Sequence, residues 1–134
     1  MTRDDIQRVM DTVPGLNYFG IGVFDPLSKS TEQQSAELRK GKQDLLNSIA
    51  ECDKVAEWLK RVEKIKTMTH NSYHLKHCVE RDMGGHVSNG VFITVAIHAG
   101  FAYRTESGSA NVLFGVSNKS LKALRKESVA RMDS

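Results

Sequence analysis

The sequence predicts an α-dominated α+β fold with about five to six helices, one small β-hairpin and a loosely winged-helix-like second half. Apolar residues recur at helical spacing through most of the chain, and residues typical of helix ends separate these runs. FAYRT and NVLFGV flank the turn-rich ESGSA, which is typical of a hairpin. The length, 134 residues, is that of one domain. We expect a single domain over 1–134, with a helical half at 1–66 and, at 67–134, a helix-turn-helix-like pair, the hairpin and a basic helix.

The first predicted helix lies at the N-terminus. Thr2 can cap it, and Pro14 ends it together with the glycine that follows. Its apolar residues share one face at Ile6, Val9, Met10 and Val13. The next segment, LNYFGIGVFDPL, is interpreted as a short extended segment or a packed loop, because its single GxG is too weak a motif to indicate a phosphate site.

A long helical pattern follows between residues 31 and 63. Ser30 and Gln33 form a capping box at its start. One helix of that span would be about 45 Å long, which exceeds the width of a small domain. We therefore favour two helices or a protruding arm, with the break at Gly41 or within 48–53. The heptad-like spacing also leaves open a homodimer formed through this pattern.

Two further helices are predicted on either side of a glycine-containing turn. The first spans about 72–83 and ends at Gly84, and the second begins after Ser88. The second helix is apolar on every side, which indicates burial and predicts Phe92 and Ile97 as core residues. A helix that reads the major groove needs Arg, Asn, Gln or Lys on its exposed face, so we do not interpret this one as a recognition helix.

The basic residues are concentrated in the second half of the chain. The last predicted helix, capped by Ser117 or Asn118, carries Lys119, Lys122, Arg125, Lys126 and Arg131 against Glu127 and Asp133. The segment 60–81 carries Lys60, Arg61, Lys64, Lys66, Lys76 and Arg81 against Glu63 and Glu80. The net charge of +3 is modest, but this uneven distribution favours a nucleic-acid partner. Any DNA contact would belong to the 72–83 helix, the hairpin with Arg104, or the last helix.

Composition excludes several classes of protein. The chain is 40% hydrophobic, which is ordinary for a globular protein, and no apolar run approaches the roughly 18–20 residues that span a bilayer. The N-terminal segment is charged and lacks the apolar core of a signal peptide. Cys52 and Cys78 are too few for a disulfide framework. We expect a cytoplasmic protein that has no membrane partner.

The segment HNSYHLKHC at 70–78 contains three histidines, a tyrosine, a lysine and a cysteine within nine positions. On a helix, Leu75, Val79 and Met83 face the core with Cys78 beside them. A second face carries His70, Tyr73, His74, His77 and Arg81, with Lys76 and Glu80 at its edges. The three histidines would stack above one another if the helix reaches back to residue 70.

Several interpretations of this face compete. A zinc site would use His74 and His77 with His70 or Cys78, but no HExxH or CxxC motif accompanies them. A Cys78–His nucleophile is disfavoured because a buried cysteine is inert. Nucleic-acid binding fits better, since Lys and Arg contact phosphates while Tyr and His stack on bases. The remaining interpretation is a solvated face without a binding role.

The segment 67–101 resembles a pattern found in small proteins carried by bacterial prophages and plasmids. There, an SYxLKHxxE helix precedes a V[ST]NGxFI helix that ends in Gly-Phe. The matching residues are Ser72, Tyr73, Leu75, Lys76, His77, Glu80, Val87, Ser88, Asn89, Gly90, Phe92, Ile93, Gly100 and Phe101. That group has no assigned activity, so the resemblance implies a mobile-element origin but assigns no functional residue. Small proteins of this kind tend to bind nucleic acid or inhibit a host protein.

The preferred hypothesis is a regulatory or accessory protein that binds nucleic acid and is not an enzyme. The predicted binding residues are Lys60, Arg61, Lys64, Lys66, Tyr73, His74, Lys76, His77 and Arg81. The alternative is a protein-interaction module, such as an inhibitor of a host or defence enzyme, that uses the loop Tyr18–Phe24 and the long helix. A zinc-dependent enzyme at His70, His74 and His77 is the third hypothesis. No cofactor is expected.

Overall fold

The helices and the hairpin follow the order that the sequence predicts, and the structure adds short strands at 16–17, 20–21 and 70–71. The computed structural model describes residues 1–133, without the side chain of residue 133. The elements within this range are α1 (Arg3–Thr12), β1 (Leu16–Asn17), β2 (Gly20–Ile21), a 3₁₀ helix (Pro26–Ser28), α2 (Thr31–Leu46), α3 (Ile49–Leu59), β3 (His70–Asn71), α4 (Ser72–Met83), α5 (Asn89–His98), β4 (Tyr103–Thr105), β5 (Val112–Phe114) and α6 (Asn118–Asp133). The α-dominated α+β class is confirmed.

The predicted helix starts are confirmed where a side chain can satisfy the free N–H groups of the first turn. The Thr2 hydroxyl accepts a hydrogen bond from the Asp5 amide at 3.2 Å, and the Asp5 carboxylate accepts one from the Thr2 amide at 3.0 Å. Ser30 and Gln33 form the same reciprocal pair. The long pattern is two helices, because α2 ends at Leu46 and α3 begins at Ile49.

The predicted hairpin is confirmed and forms part of a larger sheet. Tyr103 pairs with Phe114 across the antiparallel strands β4 and β5. β3 pairs with the other edge of β5, which places His70 opposite Phe114 and makes β5 the central strand.

The helix that follows β3 begins at Ser72 and ends at Met83, which confirms the predicted span of about 72–83. It does not reach back to His70, so the condition for stacking all three histidines is not met. The ladder with β5 keeps residues 70–71 extended. Met83 was expected to face the core, and this expectation is wrong, because Met83 lies at the end of the helix and is 38% exposed.

Helix α5 lies at the centre of the core. Its residues from Asn89 to Ala96 are buried, and the Phe92 ring makes edge contacts with Trp58 and Phe114 at centroid distances of 6.3 and 5.7 Å. The prediction that this helix is buried is confirmed for Phe92. It is wrong for Ile97, which is only partly buried, because the last turn of α5 reaches the surface.

The N-terminal end of α5 packs directly against the backbone of β1. A Cβ added at Gly90 would lie 1.8 Å from the Asn17 carbonyl oxygen, so only glycine fits there. The Gly90 amide donates to the Tyr18 carbonyl at 3.1 Å. This contact places the loop after β1 beside the start of α5, where it becomes one wall of a cleft.

None of the helices within residues 1–133 is both long and apolar enough to cross a membrane.

Candidate nucleic-acid interface

Helix α4 separates two surface depressions, because its exposed side chains point to both sides. The Asn71 side chain caps the helix by accepting the His74 amide hydrogen bond at 2.8 Å. On one side, the rings of His70 and His74 stack with their centroids 6.1 Å apart. On the other side, Tyr73 and His77 meet edge to face at 4.6 Å. The predicted single face is therefore divided along the ridge of the helix.

The three histidines do not form one column. His70 Nε2 lies 2.7 Å from the Asn118 Oδ1 atom of α6, whereas His77 Nδ1 lies 2.8 Å from Glu80 Oε1 on the opposite side of α4. The Cys78 sulfur is 3.9 Å from His74 Nε2. Burial raises the pKa of the Cys78 thiol, so it is protonated and unsuited to act as a nucleophile. Among the described residues, no three His, Cys, Asp or Glu side chains converge as metal ligands would.

A groove of about 480 Å³ separates α4 from α6. It is lined by His70, His74, Cys78, Arg81, Asn118, Leu121, Lys122 and Arg125. This lining includes no carboxylate. The i, i+3 spacing of Lys122 and Arg125 directs both side chains towards the same groove. Within the described side chains, neither of these two cations forms an ion pair, so both can meet an anion.

The charged side chains that line this groove, Arg81, Lys122 and Arg125, are all cationic. Burial lowers the pKa of His74, and the neighbouring charges of His70, Arg81 and His77 lower it further. Protonation of His74 adds one more positive charge to this group. A phosphate in the groove would reverse the effect, because it would stabilise the imidazolium.

Several of the cationic side chains that were predicted to contact phosphate have partners within the protein. Lys60 pairs with Glu57 at 2.8 Å and Arg61 pairs with Glu127 at 2.6 Å. The Lys64 ammonium group donates to the Ala99 carbonyl and lies over the Phe101 ring at 5.3 Å. Lys66 is exposed in the segment before β3. The structure therefore does not gather the 60–66 cations into one patch with α4.

Arg81 lies at the edge of the groove, but its charge is largely used by Asp82. Two hydrogen bonds, of 2.9 and 3.1 Å, join its guanidinium group to the Asp82 carboxylate, whose side chain has no exposed surface. Trp58 Nε1 donates to the same carboxylate at 2.8 Å. Burial opposes ionisation of Asp82, yet these hydrogen bonds outweigh it and lower its pKa. Arg81 therefore has a structural role through Asp82, and its contact with phosphate stays a prediction.

Lys76 differs most from its predicted position. We expected it at the edge of the exposed face, yet only 8% of its surface is exposed. Its ammonium nitrogen lies 5.4 Å from the centroid of the Tyr73 ring and 3.6 Å from Glu80 Oε1. The prediction that Lys76 lies at the exposed edge of this face is wrong, because Lys76 lies at the base of a cleft whose other walls come from segments distant in sequence. Its contact with nucleic acid stays a prediction.

Glu80 fixes the turn between α4 and α5. Its carboxylate accepts a hydrogen bond from the Val87 amide at 2.9 Å and lies near His77 and His86, at 2.8 and 3.4 Å. Burial opposes its ionisation, but the Val87 hydrogen bond and the Lys76 charge hold the pKa of Glu80 below its ordinary value. This anchor holds the start of α5 beside Lys76.

The second depression is an aromatic cleft of about 530 Å³ on the Tyr73 side of α4. It is lined by Tyr18, Phe19, Phe24, Tyr73, Lys76, His86, Ser88, Asn89, Ala110 and Asn111. The polar side chains at its base, Lys76 and Asn89, are each 8% exposed. Phe24 is 69% exposed at its rim. Sequence reasoning missed this cleft because its walls come from four separated segments.

The α6 wall of the groove was partly foreseeable. The basic character of α6 is visible in the sequence. For this reason the last helix was one of the three elements predicted to contact DNA. The spacing of Lys122 and Arg125 was the available signal for a shared face. What the sequence did not indicate is that Asn118 meets His70, since that contact depends on how α6 packs against α4 and β3.

Comparisons of the chain with protein-family models, with curated proteins and with solved structures returned no match.

Proposed function

We propose that the protein binds nucleic acid, with the phosphate backbone lying in the groove between α4 and α6. The observation that carries this proposal is the groove lining, which combines Lys122, Arg125 and two histidines with no carboxylate. Backbone phosphates supply most of the binding energy of non-specific complexes, and Lys and Arg are their usual partners. The site thus differs from the predicted 60–81 surface but retains His74 and, at its edge, Arg81.

Helix α6 extends this surface beyond the groove. Lys119, Lys122 and Lys126 recur at about one-turn intervals along it, roughly 5.4 Å apart in axial rise. All three are exposed. A row of cations at this spacing can follow a phosphate backbone, so α6 is the element along which we expect a strand to run. We further propose a cytoplasmic location, which the two free, buried cysteines support.

The test removes the two groove cations together. We expect Lys122→Gln/Arg125→Gln to reduce the slope of log affinity against log salt by about 1.4 for a single strand and about 1.8 for a duplex, since each lost phosphate contact removes about 0.7 or 0.9. Fluorescence anisotropy with labelled single-stranded DNA, RNA and duplex DNA measures this slope.

The matched control is Arg39→Gln/Lys42→Gln on α2. Arg39 and Lys42 are exposed and have the same i, i+3 spacing. Their substitution removes the same net charge from a different part of the surface. The control should leave the salt slope unchanged. Equal effects of both double variants would mean that only net charge matters, and the absence of binding at low salt would refute the proposal.

A protein-interaction module is the second candidate, and the loop after β2 favours it. Leu27 is 99% exposed and Phe24 is 69% exposed, which is unusual for apolar residues so close together. If no nucleic acid binds, this loop is the surface to test, with Leu27→Ser as the variant expected to abolish capture of a partner from the host.

A further inference from the structure

The aromatic cleft beside α4 has properties that the phosphate groove does not explain. Three of its rings are substantially exposed, with Phe19 at 41%, Tyr73 at 53% and Phe24 at 69%. Phe19 and Phe24 meet edge to face at 6.3 Å. Aromatic surface is costly to leave in water, and rings at the mouth of a cleft can stack on a flat ligand. The volume of about 530 Å³ lies within the usual range for small-ligand sites.

The base of the cleft offers an unused hydrogen-bond donor. The Lys76 ammonium group carries three N–H donors, and within the described residues it forms no hydrogen bond. Its nearest carboxylate oxygen, on Glu80, is 3.6 Å away, which is beyond hydrogen-bond distance. An ammonium group that is nearly buried and so weakly satisfied is suited to a ligand that presents an oxygen acceptor.

The base of the cleft also contains an unused acceptor. The Asn89 amide nitrogen donates to the Ala110 carbonyl at 3.1 Å and to Asn111 Oδ1 at 2.9 Å, which fixes the orientation of the amide group. Its oxygen, Oδ1, is buried and has no hydrogen-bond partner among the described residues. Buried oxygen atoms are normally hydrogen-bonded, so this atom is available to a donor group on a ligand. Oδ1 has almost no exposed surface, so a ligand must displace neighbouring side chains of the cleft to reach it.

We propose that this cleft holds one unstacked nucleobase of a single strand whose phosphates lie in the α4–α6 groove. Thymine, uracil and guanine each present a carbonyl oxygen beside a ring N–H, so they could accept from Lys76 and donate to Asn89. A simple anion would satisfy Lys76 but leave Asn89 Oδ1 without a donor. A purely apolar ligand would satisfy neither group. The flat base would stack on the exposed rings, as in other single-strand sites.

The positions of the two sites suit one continuous strand. Tyr73 faces the cleft and His74, its neighbour in the chain, faces the groove, so only the ridge of α4 lies between them. A helix is about 10–12 Å across, which a few nucleotides can span at about 3.4 Å or more per phosphate. This inference rests on the proposed function and specifies it, because it makes the ligand single-stranded.

The test compares oligothymidylate with an abasic strand of equal length, which has the same phosphates but no bases. Phe24→Ala should weaken the binding of oligothymidylate by about 5- to 150-fold, the range for one base stacked on one aromatic side chain, with the salt slope unchanged. It should not affect the abasic strand. Leu27→Ala is the matched control, since this exposed apolar residue of the same loop lies outside the cleft and should change neither affinity.

A second variant tests the polar contact. Lys76→Met keeps an unbranched side chain that is one atom shorter and removes the donor, so the preference for oligothymidylate over oligoadenylate should fall while circular dichroism remains native. The inference is overturned if Phe24→Ala weakens both strands equally or neither strand. In that case the proposed function stands as long as Lys122→Gln/Arg125→Gln still lowers the salt slope. If no strand binds the wild-type protein, both proposals fall.

Discussion

The carboxylate of Asp82 joins three helices through one buried side chain. It accepts hydrogen bonds from Trp58 of α3 and from Arg81 of α4, and Arg131 of α6 lies 3.5 Å from it. Because this side chain has no exposed surface, its negative charge is stabilised by these partners instead of by water. Asp82 therefore links the positions of α3, α4 and α6, and the last two of these helices form the walls of the α4–α6 groove.

Substitution of this residue should destabilise the fold in a pH-dependent way. We expect Asp82→Asn to lower the free energy of unfolding by about 1.5–3 kcal/mol near neutral pH, the range for hydrogen bonds to a charged group. The folded pKa of Asp82 is lowered, so its contribution is present above the ordinary pKa of about 3.9 and is lost as the pH falls through the folded value. Urea denaturation at neutral and acidic pH measures both effects.

Glu127→Gln is the control for that substitution. This substitution breaks the ion pair between Glu127 and Arg61, and both residues lie at the surface. It should change the free energy of unfolding by no more than about 0.5 kcal/mol. A loss for Asp82→Asn that persists unchanged in acid would show that the charge of this carboxylate is not the cause.

His74 should couple nucleic-acid binding to pH. Its folded pKa lies below about 6.5, so the unfolded chain takes up a proton more readily and stability falls as the pH drops below that value. Bound phosphate would raise the same pKa, so affinity should increase as the pH falls below the pKa of His74 in the complex, and it should level off below the lowered pKa of the free protein. NMR titration of the imidazole with and without oligonucleotide measures both shifts.

The comparison for this prediction is His98→Gln, which alters an exposed histidine at the end of α5, away from the groove. His74→Gln should remove most of the pH dependence of affinity, whereas His98→Gln should leave it intact. If His74 titrates at the same pH in the presence and absence of the strand, the groove does not bind the phosphates.

At the scale of single elements, α5 determines the stability of the core. Phe92 is fully buried between Trp58 and Phe114, so Phe92→Ala should cost about 3–5 kcal/mol. Leu27→Ala, at a side chain that is 99% exposed, should cost less than about 0.5 kcal/mol. Thermal and urea unfolding of the two variants measure the difference, and similar losses would contradict the assignment of α5 to the core.

The helices were predictable because their signals are local. The caps at Thr2, Ser30 and Ser88 act within one turn, and each forms the expected side-chain hydrogen bond. The apolar composition of α5 likewise predicted its burial. The position of β3 was not predictable, because residues 70–71 are extended only through pairing with β5, about 40 residues later in the chain.

At the scale of the whole molecule, the candidate site was only partly predictable, because it too depends on contacts between distant segments as well as on local signals. The sequence identified α4 and its histidines, but it could not show that Lys76 lies at the base of a cleft between α4, the aromatic loop and the α4–α5 turn. It also could not show that Arg61 meets Glu127, which is 66 positions away. Charge distribution indicated the correct half of the chain, whereas the partners of each charge depend on tertiary packing.

The central position of β5 has a consequence for how the protein is made. Until residues 112–114 leave the ribosome, β3 and β4 have no partner strand, and Phe92 lacks the ring of Phe114. Helix α5 is already synthesised by then, with apolar side chains on every side. The nascent chain must therefore carry its most hydrophobic helix incompletely covered until β5 emerges, and unpaired strands and exposed apolar surface favour aggregation during this interval. A stalled or truncated chain that ends before β5 would become a substrate for chaperones and proteases.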